Sequence, residues 1–155
     1  MPATSFYKRS NFVTHLPTGN LYSPSHFWLS AVGDNLWRIG FTKFATRMLG
    51  EIVDVQFQKS VGQSLGSGEI IGSIEGFKAI SDIYCVANGL LAALNPAIRE
   101  NASIIAEQPY TGGWLYEVEG RPDDKCGDLE SYRALLDATI DRMLAKQHSP
   151  EEMNP

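Results

Sequence analysis

Apolar and polar positions along this chain mostly repeat with a period of two, the spacing of half-buried strands. His26–Ala31 and Leu36–Phe41 read as two strands, and Gly33-Asp34-Asn35 between them has hairpin-turn chemistry. Thr42 is placed to cap a short helix over residues 43–49, with Phe44, Ala45, Met48 and Leu49 facing inward and Gly50 as its left-handed stop. Lys43 and Arg47 are like charges one turn apart, so that helix needs packing to hold it. The period returns to two from Glu51. Ile52, Val53, Val55 and Phe57 form a strand, residues 62–68 are turn-rich, Ile70, Ile71 and Ile74 lead up to Lys78, and Ile80, Ile83 and Val86 lead away.

Beyond that, Asn88-Gly89 reads as a turn before the apolar run Leu90–Leu94. Asn95-Pro96 reads as a helix start, with the asparagine as cap and the proline at the first helical position. Trp114, Leu115, Tyr116 and Val118 predict a last strand, and residues 120–127 a linker. Asp128 then caps the longest helix, residues 129–146. Its stripe of Leu129, Tyr132, Leu135, Leu136, Ile140, Met143 and Leu144 follows the helical period. Residues 1–20 read as an irregular arm, punctuated by Pro17, Gly19 and Asn20. The expected organisation is a mainly β body over 1–127, an amphipathic helix over 128–147 packed on it, and a tail over 148–155. Many short strands point to a small barrel or sandwich with peripheral helices.

Composition narrows the function classes. At 155 residues the chain suits one domain and one core. A formal charge of −5 argues against nucleic acid and anionic membrane as partners. No apolar run approaches the roughly 20 residues of a membrane span, and the first fifteen residues lack a secretory apolar core, so the expected location is cytoplasmic. Cys85 and Cys126 are too few for a disulfide framework and lack CxxC spacing, and His15, His26 and His148 show no metal-ligand spacing.

The remaining chemistry centres on residues 71–83, where a single lysine stands between two short apolar runs at the point where a hairpin must turn. A lone amine on a stiff turn suits attachment of a long cofactor: accessible for acylation, held rigidly, and identified to a ligase by its neighbours. Glu75 and Asp82 flank Lys78 as recognition candidates, Gly76 offers the turn a residue that tolerates positive φ, and Phe77 is an aromatic that a docking partner can bury. No base stands beside a nucleophile in a recognisable motif, so the expectation is a non-catalytic carrier.

Several blocks around this lysine resemble the H protein of the glycine cleavage system, a lipoyl carrier. Glu75-Gly76-Phe77-Lys78-Ala79 is similar to that family's Glu-Ser-Val-Lys-Ala. Leu49-Gly50-Glu51-Ile52-Val53 resembles its Leu-Gly-Asp-Ile-Val. His26 with Trp28, Gly40-Phe41-Thr42, Ser81-Asp82-Ile83-Tyr84, Gly89, Asn95, Pro109-Tyr110 and Gly113-Trp114 follow in order. The resemblance runs from Tyr22 to Val118. It implies a lipoyl-type barrel-sandwich hybrid with short peripheral helices and a longer C-terminal helix, lipoate as a covalent amide on Lys78, and a lipoate-protein ligase as partner. The departures are Gly76-Phe77 for Ser-Val, Cys85 at a position usually followed by proline, and an unusual ending from Gly120 to Leu144. They resemble the lipoate-binding proteins of bacterial sulfur oxidation, which implies a heterodisulfide-reductase-like complex as partner. The alternative is the glycine cleavage role, with glycine decarboxylase, aminomethyltransferase and dihydrolipoamide dehydrogenase.

Competing readings are a biotin carrier, disfavoured because Phe77 and Ala79 replace the usual flanking methionines, a scaffold that has lost its cofactor, and a free-standing enzyme. Cys85, seven residues past Lys78, is either a small apolar core residue or, if it faces outward, a group the arm could meet.

Overall fold

The computed structural model describes residues 3–147. Thr4–Arg9 (β1) and Phe12–Pro17 (β2) form an antiparallel hairpin, with Thr4 opposite Pro17 and Arg9 opposite Phe12. The arm expected over residues 1–20 is therefore largely a sheet. In β2, Phe12, Thr14 and Leu16 face inward, a period-two pattern whose middle residue is a threonine.

The body contains two further sheets. One holds six strands: Leu21–Tyr22 (β3), Phe27–Gly33 (β4), Leu36–Phe41 (β5), Tyr116–Pro122 (β11), Ala87–Leu94 (β10) and Ser64–Leu65 (β7), in that spatial order. The other holds Ile52–Phe57 (β6), Ile70–Gly76 (β8) and Ile80–Tyr84 (β9). Neither sheet closes on itself. Leu29, Ile39, Ile71, Ile74, Ile83 and Leu91 bury their side chains in one core cluster drawn from both sheets, each at 1% exposure or less. The mainly β architecture with peripheral helices is the expected one.

Two punctuation signals had a different cause from the one expected. Asn88-Gly89 is not a turn but lies inside β10, and Gly120 lies inside β11, directly opposite Gly89. A Cβ on Gly89 would overlap the carbonyl of Glu119, and one on Gly120 that of Asn88. The glycines let two backbones approach, and the linker shrinks to the residues between Pro122 and the last helix.

The first helix, Lys43–Leu49 (α1), follows the expectation at both ends. Thr42 is extended and its hydroxyl accepts from the Ala45 amide at 3.4 Å, while Gly50 has φ 77° and donates its N–H to Thr46. Its inward face is corrected: Phe44, Thr46 and Leu49 are buried, and Met48 is 44% exposed. Asn95 Oδ1 accepts from the Ala97 amide at 3.0 Å and starts a single turn, Ala97–Glu100 (α2), followed by Ile104–Glu107 (α3). The C-terminal helix, Leu129–Gln147 (α4), begins with Asp128 Oδ1 accepting from the Ser131 amide. Residues 148–155, expected as a tail, lie outside the described residues.

A second core cluster joins α4 to the hairpin and to α1. Leu129, Tyr132, Leu136 and Ile140 of α4 meet Tyr7, Phe12 and Leu16 of β1–β2, Tyr22, Trp28 and Phe44. Tyr22 and Tyr132 stack at 4.7 Å, and Phe12 meets Phe44 edge-on at 5.4 Å. Tyr7 donates its hydroxyl to Asp137 at 2.7 Å, and Arg9 pairs with Asp141 at 2.7 Å. The arginine pair is exposed and adds little, so the aromatic burial carries this junction.

Candidate functional site

Lys78 lies between β8 and β9, at the tip of a hairpin whose register runs from Ile70 opposite Tyr84 to Glu75 opposite Ile80. Three backbone bonds of 2.9 Å fix that tip. Gly76 N–H donates to Ala79 O across the turn, Phe77 N–H to Glu51 O, and Lys78 N–H to Leu49 O at the end of α1. The turn thus leans on the helix stop, and the side chain emerges from a backbone with little freedom to move.

This close approach explains Gly76. The expectation was a residue that tolerates positive φ, but Gly76 is not among the residues with positive φ; it is buried against α1. A Cβ there would overlap Leu49 O and stand 3.1 Å from Leu49 Cβ. Gly50 serves the lysine in the same way. A Cβ at Gly50 would stand 3.0 Å from Lys78 Cγ, so the lysine stem runs across the bare helix stop and carries Nζ to within 3.5 Å of Arg47 O. Leu49, Gly50 and Arg47 are therefore part of the site, although only the glycine stood out in the sequence. The signal was the Leu49-Gly50 pair next to a helix end, which says nothing of what leans on it from elsewhere.

The other candidates surround this point without forming a catalytic group. Lys78 itself is exposed, and Phe77 and Ile80 beside it are each 74% exposed. Glu75 and Asp82 are exposed along the hairpin, Asp82 opposite Ser73 and Glu75 opposite Ile80, with Asp54 of β6 next to Glu75. The outward face of the three-stranded sheet is therefore acidic, while Lys43 and Arg47 give the α1 side positive charge. Cys85 is buried at 1% exposure, donates its thiol to Ala87 O at 2.9 Å, and has its pKa raised by burial. It is a core residue, not a group facing the arm. Cys126 is half-buried, and burial pushes its thiol up to about 11. Among the described residues no cluster of His, Cys, Asp and Glu could hold a metal.

The α1 platform is itself braced from the other end. Tyr132 of α4 sits 2.7 Å from the Thr42 hydroxyl and 2.9 Å from His26 Nδ1, tying the helix cap and β4 to α4. His26 has φ 72°, and burial lowers its pKa to about 4. A neutral imidazole in this place is structural.

An accessible amine on a hairpin tied to α1 by backbone bonds is the arrangement that a covalent carrier type of protein needs. The residues fit a long acyl group: Nζ is reachable, the stem crosses Gly50, and the turn is tied to α1 by the Lys78 N–H bond to Leu49 O. Residues 20–142 match the profile of the family described as Glycine cleavage H-protein, and the chain belongs to that family. A glycine cleavage system H protein from Corynebacterium jeikeium (strain K411) is 39% identical over 125 residues, covering 79% of this chain and 98% of that protein. One from Kocuria rhizophila is 31% identical over 129 residues, covering 81% and 100%. The crystal structure of a glycine cleavage system H protein from Mycobacterium marinum superimposes with a TM-score of 0.70 at 31% identity, covering 77% of this chain and 97% of the other.

The family carries lipoate attached covalently to a lysine. These relatives bear the glycine cleavage name, so they support that role over sulfur oxidation, which the sequence reading had put first. Among the described residues no helix is long and apolar enough to cross a membrane.

Proposed function

We propose that Lys78 is the lipoylated residue and that the chain works as a cytoplasmic, non-catalytic lipoyl carrier in glycine cleavage. A lipoate-protein ligase would load it, and glycine decarboxylase, aminomethyltransferase and dihydrolipoamide dehydrogenase would use it in turn. The observation that carries this reading is the exposed amine on a hairpin fixed by bonds to Leu49 and Glu51, in the Glu75-Gly76-Phe77-Lys78-Ala79 context. Lipoate in amide linkage supplies a cyclic disulfide that opens to two thiols. The protein's part is presentation: the hairpin holds the attachment point still, so that only the arm searches, and tethering keeps it at high local concentration before a docked enzyme. Glu75, Asp82, Gly76 and Phe77 are the proposed marks read by ligase and partners. Phe77 and Ile80 offer apolar area, and the carboxylates offer charge complementarity to basic partner surfaces.

Intact-mass measurement on protein from its native host tests the attachment. One lipoyl adduct is expected, mapped to Lys78 and absent from Lys78→Arg; a free Lys78 amine in a host that lipoylates its other carriers refutes it. Glycine–bicarbonate exchange with purified glycine decarboxylase tests the pathway. The loaded chain should support exchange and the Lys78→Arg chain should not.

A second reading, service to a heterodisulfide-reductase-like complex in sulfur oxidation, draws on Gly76-Phe77 and on chain outside the matched residues: the β1–β2 hairpin and the end of α4. A loaded chain inert in the exchange assay but active with such a complex would favour it.

A further inference from the structure

Residues 53–57 are consecutive in β6, so their side chains alternate between the two faces of the sheet, yet all of them line one groove of about 890 Å³. A groove that touches every residue of a strand runs along its edge, not over a face. β6 is the outermost strand of its sheet and pairs with β8 on one side. Gln58 donates its N–H to Ile71 O, one step beyond the Phe57–Gly72 pair, so Gln56 opposite Ser73 is bonded to β8 as well. The alternate residues Val55 and Phe57 therefore aim N–H and C=O away from β8, into the groove. Among the described residues no further backbone bond reaches these groups.

The chemistry of the groove says what would enter it. Its opposite wall is Leu94 of β10, Ile98 of α2 and Ala102, which leaves room for one slim segment beside the strand edge. That selects an extended segment over the edge strand of a second copy, which would carry its own α2 into the same space. Inward side chains of the segment would meet this wall and the half-buried Val55 and Phe57, which calls for apolar residues at alternate positions. Outward side chains would stand beside the exposed Asp54 and Gln56, with Glu75 one strand farther, which calls for basic residues between them. β6 also starts beside the lysine hairpin: Phe77 N–H bonds to Glu51 O, and Ile52 stands opposite Gly76. The groove is thus continuous with the surface around Lys78.

We propose that an enzyme working on the loaded arm docks by adding an extended segment of its own, apolar residues alternating with basic ones, to the open edge of β6. This rests on Lys78 being the lipoylated residue of a glycine cleavage carrier. Main-chain bonds to Val55 and Phe57 hold the segment along the edge, its apolar side chains fill the groove, and its basic side chains meet the acidic sheet face. The edge fixes the orientation in which the partner meets the hairpin. Phe77 and Ile80 at the tip do not supply that, because apolar contact has no direction of its own.

The test uses the full chain loaded by a lipoate ligase, with purified glycine decarboxylase and aminomethyltransferase added separately. With the enzyme that docks on β6, amide exchange at Val55 and Phe57 should slow about tenfold, while Gln56, already bonded to β8, changes by less than about twofold. Val55→Pro removes an N–H from the open side and leaves the ladder to β8 in place, so the chain should still fold. The carrier concentration that gives half the maximal rate with that enzyme should then rise about tenfold, whereas Val55→Thr, which keeps the N–H, should stay within about twofold of wild type. If the proline variant does not fold, the exchange measurement on wild type decides alone. A loaded wild-type chain that neither enzyme turns over removes the underlying reading. Unprotected Val55 and Phe57 amides with enzymes that do turn it over, or equal half-saturating concentrations for the proline and threonine variants, overturn the proposal.

Discussion

Gly76→Ala tests whether the lysine hairpin is held by contact with α1. The backbone of Gly76 lies so close to the end of that helix that an added Cβ would overlap Leu49 O; ordinary contact begins at 3.4 Å. The hairpin must retreat by about 1 Å to reach it, an overpacking strain worth roughly 1–3 kcal/mol. The retreat also stretches the Lys78 N–H bond to Leu49 O and the Phe77 N–H bond to Glu51 O, both 2.9 Å. Each contributes about 1 kcal/mol net. Stiffening the unfolded chain returns about 0.4–1 kcal/mol. The sum is a loss of about 2–5 kcal/mol, read as a lower urea midpoint at unchanged slope. Amide exchange at Phe77 and Lys78 should quicken more than exchange in β10 and β11, because the damage is local. A midpoint shift under 0.5 kcal/mol would refute the claim that close approach, not turn conformation, selects glycine here.

Other consequences can be checked separately. His26 has its pKa lowered from 6.5 to about 4 by burial, so the unfolded chain takes up the proton first. Its contribution of about 3 kcal/mol is complete above pH 6.5 and is lost as pH falls from 6.5 towards 4. Urea midpoints across that range should fall steeply for wild type and less for His26→Gln; equal slopes would contradict this. Tyr132→Phe removes the hydroxyl shared by Thr42 and His26 and should cost about 1–3 kcal/mol, with the added effect of faster amide exchange in the first turn of α1. Cys85→Ser leaves arm chemistry intact and exchanges a buried thiol for a more polar hydroxyl that can still donate to Ala87 O, so loading should persist while stability falls by about 1 kcal/mol.

The sequence revealed elements whose signals are local. Thr42 and Gly50 bracket α1, Asn95 starts α2 and Asp128 starts α4, because a cap is decided within a few residues. The lysine hairpin was legible because isoleucines flank it on both sides. What escaped depended on distant partners. The β1–β2 hairpin uses Thr14 and Tyr7 as inward residues, and their partners lie far along the chain: Tyr110 for Thr14, and Asp137 of α4 for Tyr7. Gly89 and Gly120 look like turns until they are seen facing each other across β10 and β11. The same holds for Gly76. Its residue type was noticed, but the reason, a helix end folded against it, is visible only in three dimensions.

These long-range contacts form a single line of support for the amine. Tyr132 on α4 holds the Thr42 cap and His26; Thr42 starts α1; the other end of α1 accepts the N–H of Lys78 and lies under its side chain. A change in α4 therefore reaches Lys78 through a seven-residue helix without touching it. Relatives that cover 98–100% of their own length with about four-fifths of this chain present the family's body without room for all of the hairpin and α4. The added parts brace the side of α1 from which the lysine leaves, instead of the acidic sheet face on its other flank. Tyr132, within the matched residues, is the link from α4 to the Thr42 cap, and Tyr132→Phe separates bracing from stability: a pure stability role predicts unaltered ligase kinetics below the unfolding transition, whereas bracing predicts slower loading of Lys78 by a folded chain.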